Sequence, residues 1–223
     1  MEFIDKEYCL EVWGDYACFT RPELKVERVS YDVITPSAAR AIFEAIFWKP
    51  AIRWEVTRIE VMNPIRWTAI RRNEVGALAG KNPIFIEDKR QQRNSLVLKD
   101  VRYRIYAKLI FIPLRDRKNT ARVSKDGSND ENPAKYQQMF ERRASNGQCF
   151  NQPYLGTREF SASFNLVPVD EKSFPIEDSK DLGIMLYDMD FSDKKNIIPM
   201  FFRAKMEKGV IIVPSLKSGE ILR

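Results

Sequence analysis

An α+β fold, built from antiparallel strands and two helices, is predicted by three observations. Long stretches alternate apolar with polar residues, two helical segments open with a proline, the first behind a capping residue, and glycine or asparagine turns separate them. The clearest alternation covers residues 101–112, where Val101, Tyr103, Ile105, Ala107, Leu109 and Phe111 share one face. Arg102, Arg104, Tyr106, Lys108, Ile110 and Ile112 share the other.

Taken in order, residues 3–13 read as a first strand that Gly14 and Asp15 end. Thr35 caps a first helix and Pro36 suits its first position, because a missing N–H costs nothing there. Ile42, Ala45 and Ile46 recur at helical spacing and mark a buried face, and Lys49-Pro50 stops the helix. Residues 52–62 form a second strand whose apolar phase slips near Thr57, which predicts a bulge. A long polar excursion separates it from the strand at 101–112. Residues 115–132, carrying Arg115, Arg117, Lys118, Arg122 and Lys125 against Asp116, read as a mobile loop. Pro133 opens a second helix that runs to about Ala144 and closes at Asn146-Gly147. A fourth strand spans residues 158–167. The order is β-α-β-β-α-β, the ferredoxin-like arrangement also used by RNA-recognition motifs. Residues 1–167 are therefore expected as a ferredoxin-like domain, and residues 168–223 as a small antiparallel β domain. In the latter, 183–191 is a strand, and 197–205 with 210–213 is a hairpin turning at Glu207-Lys208-Gly209.

Composition narrows the chemistry. The chain of 223 residues has no histidine, and its three cysteines (Cys9, Cys18, Cys149) have no CxxC spacing. That excludes a Ser-His-Asp triad, a Cys-His pair and imidazole acid–base catalysis within one chain, and it leaves no zinc-ligand pattern. No cofactor is expected. The longest apolar stretches fall short of the ~20 residues that cross a bilayer, and acids stand where a signal peptide needs a basic start, so a cytoplasmic protein without membrane contact is expected. A net charge of +6 makes a polyanion the first partner to consider.

On the strand at 101–112, Arg102, Arg104 and Lys108 for phosphate and Tyr106 for stacking would suit single-stranded RNA. An ordinary solvated sheet face is the other reading, and both stand. Lys135 and Arg142 lie seven apart on one face of the second helix, with Tyr136 and Arg143 on an adjacent stripe.

A series of segments resembles the Cas-five d family of CRISPR repeat-associated RNA-binding proteins (the RAMP superfamily). They are Gly14-Asp15-Tyr16 to Thr20-Arg21-Pro22, Ser30-Tyr31-Asp32 to Thr35-Pro36-Ser37, and Ala45-Ile46-Phe47-Trp48-Lys49-Pro50. Leu98-Lys99-Asp100-Val101, Pro133-Ala134-Lys135-Tyr136, Met139-Phe140-Glu141-Arg142 and Tyr154-Leu155-Gly156-Thr157-Arg158-Glu159 follow in order, then Leu182-Gly183-Ile184-Met185 and Glu207-Lys208-Gly209-Val210-Ile211. The resemblance implies a metal-independent endoribonuclease that cuts precursor CRISPR RNA and keeps the 5′ handle. It also implies a place in the subtype I-C interference complex beside backbone and large subunits. The family's catalytic lysine matches Lys135; its tyrosine position holds Phe47, and its histidine position holds Tyr136. Lys135 and Tyr136 are the catalytic residues so implied, and Lys49, Arg102, Arg104, Tyr106, Lys108, Arg142, Arg143 and Arg158 the RNA contacts. The two departures keep an alternative open: a non-catalytic subunit that binds the handle or duplex DNA. A basic protein with an unrelated structural role is the third reading.

Overall fold

The computed structural model describes residues 5–113, 116–117, 132–193 and 196–223. Strand β1 (Lys6–Ala17) is followed by a 3-10 turn at Pro22–Leu24, helix α1 (Pro36–Ile46), and strands β2 (Ile52–Val61) and β3 (Trp67–Val75). The one-turn helix α2 (Ile86–Lys89) leads into β4 (Arg90–Phe111), then α3 (Pro133–Ser145), β5 (Ser163–Val167), β6 (Lys180–Asp190), β7 (Ile198–Met206) and β8 (Val210–Ile212). The fold is a mixture of helix and antiparallel sheet. One sheet has the order β5-β1-β4-β2-β8, with β3 paired to β4 off this path, and a second consists of β6 and β7.

The local signals account for α1 and for the kink in β2. Thr35 accepts the Ala38 N–H and Pro36 occupies the first turn, while the pairing of β2 with β4 shifts register between Val56 and Arg58. At α3 the cap is Asn132, whose side chain accepts the Ala134 N–H at 3.0 Å ahead of Pro133. Apolar residues from both helices meet one sheet face. There Phe43, Trp54 and Phe140 cluster with Tyr8, ring centroids 4.6–4.8 Å apart for Trp54–Phe140, Phe43–Trp54 and Tyr8–Phe140. Such ring pairs add roughly 0.5–1.5 kcal/mol each beyond the area they bury.

Three expectations need correction. Strand β1 does not end at Gly14 but runs to Ala17, because Tyr16 and Ala17 still pair with Lys99 and Leu98 of the long β4. The polar excursion after β2 is a hairpin: β3 pairs with the first part of β4 from Trp67↔Leu98 to Val75↔Arg90. Its alternation was weak because much of the hairpin is exposed on both faces, so no buried stripe marks it. The strand expected at 158–167 is confined to Ser163–Val167. The charged loop expected at 115–132 lies mostly outside the described residues.

Residues 168–223 are antiparallel throughout the strands they contribute. Glu207 and Val210 bond to each other across Lys208 and Gly209, which both adopt positive φ, as a two-residue type I′ turn requires. A Cβ on Gly209 would lie 2.4 Å from the Ile176 carbonyl, so glycine is needed for space as well. The turn sends β8 to the edge of the main sheet against β2, and Arg40 of α1 holds Asp188 of β6 through two bonds of 2.6 and 2.9 Å.

Candidate nucleic-acid interface

Sheet register decides what the polar face of β4 can do. Lys108 lies across from Glu7 on β1 and Glu55 on β2, and Arg104 lies across from Glu11 and Glu60. Each of these cations is thus flanked by acids on both neighbouring strands. Arg104 is only 7% exposed. It donates to Glu11 at 2.9 Å, to the Glu171 carboxylate at 2.6 Å, and to the carbonyls of Glu171 and Lys172. Arg102 also bonds to Glu11 and lies over the Trp13 ring. Burial pushes the Glu11 carboxyl upward, but the bonds from Arg102 and Arg104 outweigh it and hold the group below the usual carboxylate range. For Arg104, burial opposes the charge and the two carboxylates more than restore it, leaving the guanidinium firmly protonated. Tyr106 is 2% exposed, its hydroxyl donates to Glu60 at 3.1 Å, and the Arg58 guanidinium covers its ring at 3.8 Å. Burial pushes the Tyr106 hydroxyl well above its ordinary range, and it pushes the neighbouring Cys9 thiol up to about 11. Of the four residues expected to greet RNA from this face, Arg104 and Tyr106 therefore point into the protein, while Arg102 and Lys108 face solvent. Sequence alternation found the face but not its acidic partners, which lie 44–101 positions away along the chain.

Helix α3 presents Lys135 to solvent in its first turn. Tyr136 beside it is 5% exposed, its ring 6.0 Å from that of Phe111. Phe47 is fully buried and packs near the other end of α3: the Arg143 guanidinium lies 5.4 Å from its ring centre and donates to the Ile46 carbonyl at 3.2 Å. Arg143 thereby caps the C-terminal end of α1, where carbonyls lack helical partners. Lys135 and Arg143 are eight residues apart, about 12 Å of helix. The position matched to the family's tyrosine thus packs near the C-terminal end of α3, while the position matched to its lysine stands in the first turn of that helix.

Three further cations have no acidic partner. Lys49, Arg142 and Arg158 are exposed, and none forms an ion pair among the described residues. Exposed aromatic rings stand near them in the chain: Trp48 is 54% exposed, Phe150 79% and Tyr154 37%. The local backbone holds these groups in place. The Phe150 and Asn151 N–H groups both donate to the Ala45 carbonyl at the end of α1, and the Cys18 N–H donates to the Leu155 carbonyl at 3.0 Å. Gly156 seals that junction, with φ +86° and no room for a Cβ, which would lie 2.0 Å from the Cys18 carbonyl. Sequence reasoning named the three cations but missed the rings. The signal available was a run of aromatic residues inside a Gly-, Asn- and Gln-rich loop, where a core residue is unusual. Among the described residues no three His, Cys, Asp or Glu side chains cluster as a metal site would need, and no helix is long and apolar enough to cross a membrane.

A family model described as CRISPR-associated protein (Cas_Cas5) matches residues 7–214. A curated CRISPR pre-crRNA endoribonuclease Cas5d from Mannheimia succiniciproducens is 47% identical over 234 aligned residues, covering 96% of this chain and 97% of that protein. The protein so named from Thermus thermophilus is 44% identical, covering 96% of this chain and 94% of its own. A solved structure described as a CRISPR-associated protein superposes with a TM-score of 0.71 at 24% identity, over 98% of this chain and 97% of that one, which is a likeness of fold. The model and the relatives extend over nearly all of the sequence, and the chain belongs to the CRISPR-associated Cas5 family.

Proposed function

We propose that this protein is a metal-independent endoribonuclease that cuts precursor CRISPR RNA in its repeat and keeps the 5′ handle, as a subunit of a cytoplasmic interference complex with backbone and large subunits. The observation that carries the reading is the 47% and 44% identity, over nearly full length, to two proteins named pre-crRNA endoribonucleases. Further support comes from an exposed lysine at the matching position of α3 and from exposed cations and rings that carry no ion pair among the described residues. RNA supplies its own nucleophile, so the protein's task is to align a 2′-hydroxyl with the scissile phosphorus, neutralise the developing charge and assist proton transfer. Lys135, as a solvent-facing ammonium, serves the second role. Tyr136 is buried and faces Phe111, which suits a ring that supports the first turn of α3 and places Lys135. The RNA surface of this proposal is Lys49, Arg142 and Arg158 with Trp48 and Phe150; Arg102 and Lys108, on the polar face of β4 away from α3, stand outside it. A ferredoxin-like N-terminal unit is part of the same reading, supported by the strand order β5-β1-β4-β2 with two helices on one face.

The absence of a hydroxyl on fully buried Phe47 favours a second reading, a non-catalytic member that holds the handle or duplex DNA. Incubating the protein with its own repeat RNA in excess chelator separates the two. The first reading expects a single cut that leaves a 2′,3′-cyclic phosphate; intact, protein-bound RNA would support the second.

A further inference from the structure

A cleft of about 870 Å³ opens between the outer side of α1 and the loop at 151–161, and we propose that it holds a single-stranded stretch of the bound RNA, with a base seated on Tyr154. This rests on the RNA-binding reading above and deepens it by locating where unpaired nucleotides go. Ala38, Ala41 and Ala45 line the α1 side of the cleft and keep it open along most of the helix, about 16 Å for its eleven residues. The opposite wall carries Asn151, Gln152, Tyr154 and Arg158. Asn151, Tyr154 and Arg158 have no side-chain partner among the described residues, so their donors, acceptors and charge are open to a ligand. Gln152 donates its amide N–H to the Ala162 carbonyl at 2.9 Å, which holds its own carbonyl in place as an acceptor.

The backbone of the wall is hydrogen-bonded within the protein. The Ala45 carbonyl takes the N–H groups of Phe150 and Asn151, the Leu155 N–H bonds to the Phe160 carbonyl at 2.7 Å, and the Ala162 N–H bonds to the Pro153 carbonyl at 2.9 Å. A fixed wall lowers the ordering cost of binding. An exposed ring for stacking, amides for base edges and an unpaired guanidinium for phosphate are the groups that single-stranded RNA recognition uses. Asn151 of the cleft adjoins the exposed Phe150 in the chain.

The test is a scan of repeat RNA carrying 2-aminopurine at one position at a time, read by fluorescence and by affinity. The native protein is expected to quench one or two adjacent positions outside any paired stem. Tyr154→Ala should abolish that quench and weaken binding roughly 5–100-fold, whereas Tyr154→Phe keeps the ring and the quench. Ala41→Trp, at an exposed site of α1, fills the cleft and should produce the same loss without removing a charge; Asn151→Asp, on the surface, should weaken binding by adding an anion if Ala41→Trp does not fold. Unchanged quench and affinity in Tyr154→Ala and in the folded member of that pair would overturn the cleft while leaving the nuclease reading intact. No binding of repeat RNA by the native protein would overturn both.

Discussion

Replacing Lys49, Arg142 and Arg158 together with glutamine should change how RNA binding responds to salt, and replacing Arg102 and Lys108 should not. The three former cations have no acidic partner, so each is available to displace a counterion from a phosphate. For a single strand each contact contributes about 0.7 to the slope of log K against log salt, so losing three flattens the slope by about 2. Between 50 and 200 mM salt the native protein should therefore lose roughly 20-fold more affinity than the triple variant. Arg102 shares Glu11 with Arg104, and Lys108 lies between Glu7 and Glu55. Their removal changes a balanced field, and the slope should stay within about 0.5 of native. Filter binding or fluorescence anisotropy at five salt concentrations measures both. A flattened slope in the Arg102/Lys108 variant with a native slope in the triple variant would refute the reasoning and return the RNA to the sheet face.

Lys135→Ala should slow cleavage by at least ~10²-fold while affinity changes little, and Lys135→Arg should recover part of the rate; single-turnover kinetics with saturating protein reads this. Glu11→Gln should flatten the acid side of the stability profile. The Glu11 carboxyl is held below its ordinary 4.5 in the folded protein, so its contribution is whole above about pH 5 and is lost as pH falls through the lowered value. Urea melts between pH 3 and 6 check the sign. Arg104→Met should cost about 3 kcal/mol, because Glu11 keeps only Arg102 and Glu171 loses its buried partner. Gly156→Ala combines a positive φ with a Cβ 2.0 Å from the Cys18 carbonyl, and should cost about 2–4 kcal/mol by thermal or urea unfolding.

Elements set by neighbouring residues were legible in the sequence; those set by distant partners were not. Thr35-Pro36 and Asn132-Pro133 start helices by local hydrogen bonds and a fixed φ, and the bulge at Thr57 follows from a local phase slip. The hairpin of β3 with the first part of β4 escaped notice because only its base at Ser95, Val97 and Leu98 is buried, so hydrophobic alternation had little to record. The polar face of β4 was visible as a row of cations, yet its charge depends on Glu7, Glu11, Glu55 and Glu60, which only the register brings alongside. Tyr106 illustrates the same point: a ring on a polar-looking stripe became buried because Arg58 and Glu60 reach across from β2. Tyr154 and Trp48 were overlooked for the converse reason, since an aromatic residue reads as core until the fold leaves it in solvent.

The most direct test of the account is cleavage of the cognate repeat RNA in excess chelator, beside the same RNA with a single 2′-deoxy nucleotide just upstream of the cut. Attack by the RNA's own 2′-hydroxyl predicts one cut in the unmodified strand with a 2′,3′-cyclic phosphate end, and none in the deoxy strand, with equal affinity for both. Cutting of the deoxy strand, or cutting that chelator stops, would contradict it.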